Sequence, residues 1–594
     1  MNPPFVSGFR FSLLLLTVFV CFSILGGRLY YLHVIKATEL ASIVEATRRN
    51  VEVLPARRGN IVDRRGNLLA VNRAFIQIGV DPHFLREQDR EKWAELARLV
   101  ELPYDELRVR METRYRRGRS DFGDDMEQIR WRLLNEGVEE SRFEKITALD
   151  IRGVYGNRFY RRTYPSNELA AHVLGFVNRE QTAVMGVEQH LDFYLRGEPG
   201  WRETERDGRR RELVQFRHRE MPPKDGFHVE LTIDSVIQHM VERELAALAE
   251  RFSPEGATII VSEPHTGHIL ALANYPTFNL NEFNLAPLDH QRNRAITDTL
   301  EPGSTFKIVP TAGALEERLV TPMTVFDCSQ THVMVGNYRA RLPSDHRPFG
   351  NMTVAEIVAQ SSNRGVAFMA VQMGRQRMYN YSRAFGFGQR TGLPMIGEVN
   401  GTLHPINRWD GLTITRLPIG HAISATPMQI HQATATLAND GVRMRPRLIE
   451  RVFDHEGKTI FSYPPEAEQR VVSAETARTM GMMLLDAVGP RGTARRAEIP
   501  GFEVAGKTGT TRKLVNGQYS NREHVASFTG YFPVSQPRIV MTIIVDNPSG
   551  TTSYGGVVAA PSFRTIGEEL IAYLGIRTRE SEENMLARWE GGRR

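Results

Sequence analysis

No charged residue interrupts the seventeen positions from Phe11 to Gly27, which read FSLLLLTVFVCFSILGG. No other local feature constrains this chain more, because a helix that is apolar all round needs apolar surroundings on every side. Seventeen helical residues rise about 26 Å, slightly short of a bilayer core. Leu29 to Leu32 complete the span if Arg28 snorkels to the interface. A cleaved signal peptide would need a small-x-small site after Gly27, and none is evident. The expectation is a short cytoplasmic tail over 1–10 and a retained transmembrane anchor over 11–32. Charge does not set the orientation, since Arg10 precedes the span and Arg28 and Lys36 follow it. The short tail and long following body favour an exported body on the outer, periplasmic side of the cytoplasmic membrane.

A chain of 594 residues is too long for one compact core, so two or three domains are expected. Residues 33–224 read as a mixed α/β module. Glu39 to Arg49 looks helical, Phe75 to Val80 reads as a strand, and helical periodicity (Trp93, Leu96, Ala97, Val100) dominates from Arg86 to Asp150. Arginine clusters at 114–119 and 206–219 read as solvated arms. Composition changes at Pro222 to Gly226, where the second domain, 225–575, begins. It opens with a strand over Phe227 to Thr232 and a helix from Asp234, its N-cap, to Arg251. Ala257 to Ser262 and His268 to Ala273 then form a hairpin. His524 to Tyr531 and Arg538 to Val545 supply two later strands, and Ser562 to Leu574 a last helix. This order predicts an α+β fold: an antiparallel sheet flanked by helices, with an all-helical lobe between its two halves. A charged tail, 576–594, lacks an apolar face.

The formal charge of +6 and pI of 9.2 could suit nucleic acid, but no zinc-finger spacing or phosphate loop occurs and the basic residues are dispersed, so no nucleic-acid partner is expected. Cys21 and Cys328 offer no disulfide framework. Only eight of the 75 basic residues are lysine, and lysine, unlike arginine, can lose its proton when its surroundings depress its pKa. Two of the eight fall inside short motifs that each occur once, in the order Ser304-Thr305-Phe306-Lys307, Ser361-Ser362-Asn363, Lys507-Thr508-Gly509.

Glu301-Pro302-Gly303 makes a turn before an apolar run, so Ser304 should open a helix, and three-residue spacing brings the Lys307 amine to its hydroxyl. A serine hydroxyl needs an adjacent base to act as a nucleophile. Lys307 serves if burial and a second cation, Lys507, depress its pKa. Pro310 should kink this helix. Ser361 and Asn363 should lie between two helices, where a hydroxyl relays a proton and an amide holds a substrate carbonyl. Lys507 to Thr510 should form an edge strand, with Gly509 admitting substrate to the backbone and the cation and hydroxyls of Thr508 and Thr510 suiting a terminal carboxylate.

These three motifs resemble those of penicillin-binding proteins and class A β-lactamases. Over about residues 50 to 575 the chain resembles a class B penicillin-binding protein. Arg58-Gly59 through Asp63-Arg64 and Gly66, with Gly186-Val187-Glu188, are similar to that class's pedestal signature. The resemblance implies a D,D-transpeptidase of peptidoglycan synthesis: Ser304 attacks the penultimate D-Ala of a stem peptide, terminal D-Ala leaves, and an amine on a neighbouring strand takes the acyl group. It implies an oxyanion hole from the N–H groups of Ser304 and Thr510, covalent inhibition by β-lactams, and no metal or organic cofactor. It also implies a transpeptidase domain of the penicillin-binding, serine-β-lactamase-like fold on a dimerisation-type pedestal. Ser362 stands where Asp is common. A β-lactamase would need a water-activating group that cannot be assigned, and a bifunctional synthase would need glycosyltransferase carboxylates that 50–224 lack. A sensor would need a cytoplasmic output domain, and a non-catalytic scaffold has no need of an intact triple. The compact segment from Phe326 to Ser361 and the Gln360-Ser361-Ser362-Asn363 context look more like the division-type than the elongation-type enzyme, which implies a polytopic glycosyltransferase and other division proteins as partners.

Overall fold

A computed structural model describes residues 8–40, 49–117, 126–205, 219–515, 517–550 and 552–577. Residues 118–119 of the first arginine cluster, all but the last residue of the second, and all but the first two residues of the charged tail lie outside the described residues. The chain divides into two compact units, Met1–Arg57 with Gly197–Gly226, and Arg58–Arg196 with Phe227–Arg594.

In the first unit one helix runs from Gly8 to Ile35, its last five residues in a π turn. At 1.5 Å per residue its 28 residues rise about 42 Å, ample for a bilayer. Arg28 lies within it rather than at its end, the guanidinium 5.5 Å from the Tyr31 ring centroid. Helix resumes over 37–40, residues 41–48 lie outside the described residues, and Arg49 opens a strand, so the expected helix does not reach Arg49. Strands Arg49–Leu54, Gly200–Glu205 and Arg219–Met221 form a small antiparallel sheet.

The second unit holds two larger sheets. The first runs in the order Thr459–Ser462, Ile449–Phe453, His228–Leu231, Ile61–Val62, Leu68–Val80, Arg132–Val138, with Val154–Thr163 also paired to Leu68–Val80. Strand Arg132–Val138 corrects the expected helical run from Arg86 to Asp150. Its buried residues, Leu134 and Val138, are four apart, a spacing that fits either period. Helices Trp93–Leu99, Tyr104–Glu112 and Glu140–Ala148 pack around its far end. Beneath it lies a buried ionic cluster. Arg58 Nε and Arg162 Nε donate to opposite oxygens of Glu188 at 2.6 and 2.5 Å, and Arg58 also bonds Asp192 at 2.6 Å.

The second sheet is antiparallel, in the order Ile269–Tyr275, Gly256–Ser262, Ile539–Asp546, Gln518–Phe532, Ala505–Val515. Every residue of Gly256–Ser262 is buried because the sheet is covered on both faces. One face packs helices Ser235–Phe252 and Ala560–Leu574, and the side chain of Asp234 accepts from Val236 N and Ile237 N as the expected N-cap. The other face packs the inserted lobe, through helices Pro427–Ala438 and Ala474–Val488. The lobe is not all-helical. It carries four two-stranded ribbons, one of them His332–Val335 with Tyr338–Arg341, closed by a two-residue Gly336-Asn337 turn with Gly336 at φ +59°. It also sends Ile449–Phe453 and Thr459–Ser462 to the first sheet.

Candidate active site

Ser304 sits on a 3-10 turn, Gly303–Lys307, that leads into the α-helix Ile308–Glu316. Thr305, Phe306 and Lys307 are buried while Ser304 is half-exposed, so the turn leaves the serine hydroxyl as the group facing the cleft. The α-helix restarts at Ile308, which places Pro310 in its first turn, where a missing N–H costs nothing, and the helix runs unbroken. The expected kink is absent for that reason. Gly303 has φ +55°, and a Cβ there would collide with the Thr511 methyl. Behind it Gly420, φ +77°, approaches so closely that its own Cβ would strike the Gly303 carbonyl.

Lys307 is 3% exposed. Its amine donates to Ser361 O at 2.6 Å, Asn363 Oδ1 at 2.6 Å and Ser361 Oγ at 3.1 Å. Among the described residues no hydrogen bond joins it to Ser304, so in this resting arrangement the amine is held on the second motif rather than on the serine three residues before it. Ser361 ends helix Val354–Gln360 in the left-handed region, φ +59° and ψ +42°, and Ser362 caps the next helix by accepting from Gly365 N at 3.1 Å. The left-handed turn presents both the carbonyl and the hydroxyl of Ser361 to the lysines. A non-glycine residue rarely adopts this conformation, and such strain gathers at functional sites.

Lys507 lies on the sheet's edge strand and is also buried. Its amine donates to Ser361 Oγ at 2.8 Å and to Thr508 O at 3.2 Å, so one hydroxyl bridges two lysines. Burial pushes Lys507 down to about 7. Burial first, then the charge of Lys507, push Lys307 well below the ordinary lysine range, with Asp345 acting against them. Side chains alternate along a strand. Lys507 faces Ser361, and a Cβ at Gly509 would collide with Ser527 Oγ and come within 3.1 Å of the Thr305 methyl. Thr508 and Thr510 turn the other way. Thr508 Oγ1 is 2.9 Å from Thr493 Oγ1, and Thr510 Oγ1 accepts from Gly555 N at 3.0 Å, which leaves the Thr510 O–H as a donor.

One residue at this site carries no sequence signal. Asp345, on an irregular segment, accepts from Asn363 N, from Ser362 Oγ at 3.2 Å and from Arg364 N at 3.4 Å, so it caps helix Asn363–Ala384 from outside the motif. Beside it Ser344 O accepts from Asn363 Nδ2 at 2.6 Å, which fixes the amide with its oxygen toward Lys307. Asp345 lies seventeen residues before Ser362, and no fixed spacing could have singled it out.

The arrangement thus combines a half-exposed serine, two depressed amines sharing a hydroxyl, and an edge strand whose glycine passes beside the serine's turn. It is suited to proton transfer and acyl transfer without a metal.

The penicillin-binding protein transpeptidase domain model matches residues 257–568, and the penicillin-binding protein dimerisation domain model matches 53–231. Stage V sporulation protein D of Bacillus subtilis is 30% identical over 98% of this chain and 88% of its own length. Peptidoglycan D,D-transpeptidase FtsI of Escherichia coli is 29% identical over 94% of this chain and 90% of its own. The crystal structure of penicillin-binding protein 3 from Mycobacterium tuberculosis in complex with aztreonam superposes with a TM-score of 0.67, at 27% identity, over 89% of this chain and 98% of that one. Both modules in order, the three motifs assembled in space and relatives aligned over nearly the whole length lead to one conclusion: this chain belongs to the class B penicillin-binding proteins.

Proposed function

We propose that this chain is a peptidoglycan D,D-transpeptidase acting in septal wall synthesis, with Ser304 as nucleophile and Lys307 as its base. The observation that carries the reading is the pair of buried amines on Ser361 Oγ. In its neutral form the Lys307 amine has two N–H donors and one lone pair. With the N–H groups on Ser361 O and Asn363 Oδ1, which only accept, the lone pair faces the Ser361 hydroxyl at 3.1 Å and can take a hydroxyl proton from that side. A small rotation of the Ser304 hydroxyl toward Lys307, or relay through Ser361, delivers the serine proton.

Ser304 Oγ then bonds the carbonyl carbon of the penultimate D-Ala. The N–H groups of Ser304 and Thr510 receive the oxyanion. Collapse breaks the C–N bond to terminal D-Ala, whose nitrogen takes the proton held by Lys307, through Ser361. In the second half the acceptor amine gives its proton to Lys307 and bonds the acyl carbon, and Ser304 leaves and regains a proton. Lys507 with Thr508 and Thr510 would bind the terminal carboxylate, and Asn363 the peptide amide.

One helix among the described residues, Gly8–Ile35, is long and apolar enough to cross a membrane, which supports a single-pass anchor. On this reading residues 33–594 lie outside the cytoplasmic membrane, organised as pedestal 33–224 and transpeptidase domain 225–575. The FtsI relative supports the septal assignment, and on that reading a polytopic glycosyltransferase is the expected partner. Detergent-solubilised protein given a stem pentapeptide donor and an amine acceptor should release D-Ala and form a crosslinked product, both abolished in Ser304→Ala. Release equal in wild type and variant would refute the assignment. Depletion in cells should give filaments, whereas rounded cells that still divide would sink the septal role.

A further inference from the structure

Three arginines gather where the last helix ends, far along the chain from the catalytic motifs. They line a cavity of about 190 Å³, walled by Arg64, Arg65, Asp234, Glu263, Arg538 and Leu574. Arg64 and Arg65 come from the turn after strand Ile61–Val62, Asp234 caps helix Ser235–Phe252, and Leu574 ends helix Ala560–Leu574. The two carboxylates are already engaged. Buried Asp234 accepts from Val236 N and Ile237 N, from Tyr573 Oη at 2.9 Å and from Arg65 Nε at 3.0 Å. Glu263 accepts from Arg64 Nη1 at 3.0 Å and from Thr266 Oγ1 at 3.1 Å. The guanidiniums are not so engaged. Among the described residues both Nη groups of Arg65 are open, its Cζ lying 4.6 Å from the Tyr573 ring centroid, and the exposed Arg538 side chain has no hydrogen bond and no ion pair. Three cations against two carboxylates leave a positive mouth, whose planar donor edges suit carboxylate oxygens.

The chain carries such carboxylates within reach. Gly575, φ +61°, ends the helix, the buried Ile576 donates its N–H back to Ile571 O at 3.0 Å, and the described residues stop at Arg577. Beyond it, over 578–594, the sequence holds four acidic and four basic residues, and three of the acids, Glu580, Glu582 and Glu583, fall within four positions. Glu580 is six residues past Leu574, so it lies at most roughly 20 Å of extended chain from the cavity wall.

We infer that the acidic run 580–583 folds back onto Arg64, Arg65 and Arg538, so that the C-terminal segment clasps the last helix to the turn 63–67. Exposed ion pairs are individually weak, but a short connection holds these carboxylates at an effective concentration of about the mM range. Glu580 and Glu582, two apart, share one side of an extended chain and can meet two guanidiniums together, while Arg579 faces the other side. The turn they grip is itself anchored by Asp63, which accepts from Ser235 N at 3.1 Å, Ser235 Oγ at 2.6 Å and Asn67 N at 2.8 Å. The clasp therefore reinforces the contact between this N-terminal turn and the first helix of the transpeptidase domain. The inference is independent of the reaction proposed above.

The test uses the full-length protein in detergent. In Arg538→Lys the new amine is exposed, and a water-soluble carbodiimide joins it to a carboxylate that it touches. Peptide mapping should find residue 538 joined to Glu580, Glu582 or Glu583, within one chain when isotope-labelled and unlabelled proteins are mixed. The yield should fall about fivefold or more in 1 M salt, where the screening length is about 3 Å. Hydrogen exchange gives a second readout. In E580Q/E582Q/E583Q the amides of turn 63–67 should exchange about threefold faster than in the unsubstituted protein at low salt, on the scale of exposed ion pairs, and no faster at high salt. Arg538→Gln should do the same, and a cooperative thermal transition shows that each variant is folded. No crosslink from residue 538 to the run 580–583, a crosslink that forms only between chains, or exchange that ignores the glutamate substitutions overturns the inference.

Discussion

Glu188 is fully buried and accepts from two guanidiniums that are themselves nearly fully buried, so its replacement shows how the pedestal is held. In Glu188→Gln the shape is kept, but one oxygen becomes an NH2 facing an arginine donor. Arg58 and Arg162 then share a single neutral acceptor, with Tyr164 Oη, 3.4 Å away, adding a weak contact. Breaking a buried pair by removing one partner costs about 3–5 kcal/mol, because the remaining charge has no water and no counter-ion. Asp192 keeps one hydrogen bond to Arg58, so the lower end of that range applies to Arg58, while Arg162 falls back on the Gly59 carbonyl at 2.7 Å. The expected loss is about 3–4 kcal/mol, read as a fall in the unfolding midpoint on the order of 5 °C or more. Differential scanning calorimetry of the detergent-solubilised protein is the assay. The triple variant R58M/E188L/R162M should be less destabilised than E188Q, since it removes the charges together with their counter-ion. A loss below about 1 kcal/mol in E188Q, or a triple variant that is worse, would refute the reasoning from uncompensated charge.

Two substitutions near Lys307 should move its titration in opposite directions. Acylation by penicillin rises with pH as Lys307 loses its proton, and the charge of Lys507 helps to hold its pKa down while Asp345 holds it up. Lys507→Met should therefore shift the acid limb of the pH profile to higher pH, and Asp345→Asn to lower pH, measured as second-order labelling rates from pH 5 to 10. Shifts in the same direction would contradict this. Gly420→Ala puts a methyl group against the Gly303 carbonyl and should displace the Ser304 turn. About a hundredfold loss of acylation rate is expected, with the thermal midpoint reporting that the protein is folded.

The candidate site residues are legible in the sequence because each motif is short and its geometry local. Ser304 and Lys307 share one turn, Ser361 and Asn363 one interhelical bend, Lys507 and Gly509 one strand. Their convergence followed from the ordered triple. What local pattern could not give was the partner of each group. Lys307 bonds Ser361 and Asn363, more than fifty residues away, because the lobe folds that turn onto the amine. Asp345 reaches the site through tertiary contact alone. The lobe's ribbons escape sequence reading because their strands are two to four residues long and pair only once the helices have placed them. Pro310 misled because a helix restart one turn after Ser304 is invisible to periodicity.

The central claim is that Ser304 forms the acyl-enzyme with Lys307 as base. Intact-protein mass spectrometry after brief exposure to benzylpenicillin, followed by peptide mapping, tests it most directly. The account predicts one penicilloyl adduct on the peptide containing Ser304, persisting long after excess drug is removed, absent in Ser304→Ala and formed at least a hundredfold more slowly in Lys307→Ala, as expected on the order of magnitude for loss of a general base. An adduct on another residue, or labelling of Lys307→Ala at the wild-type rate, would contradict it.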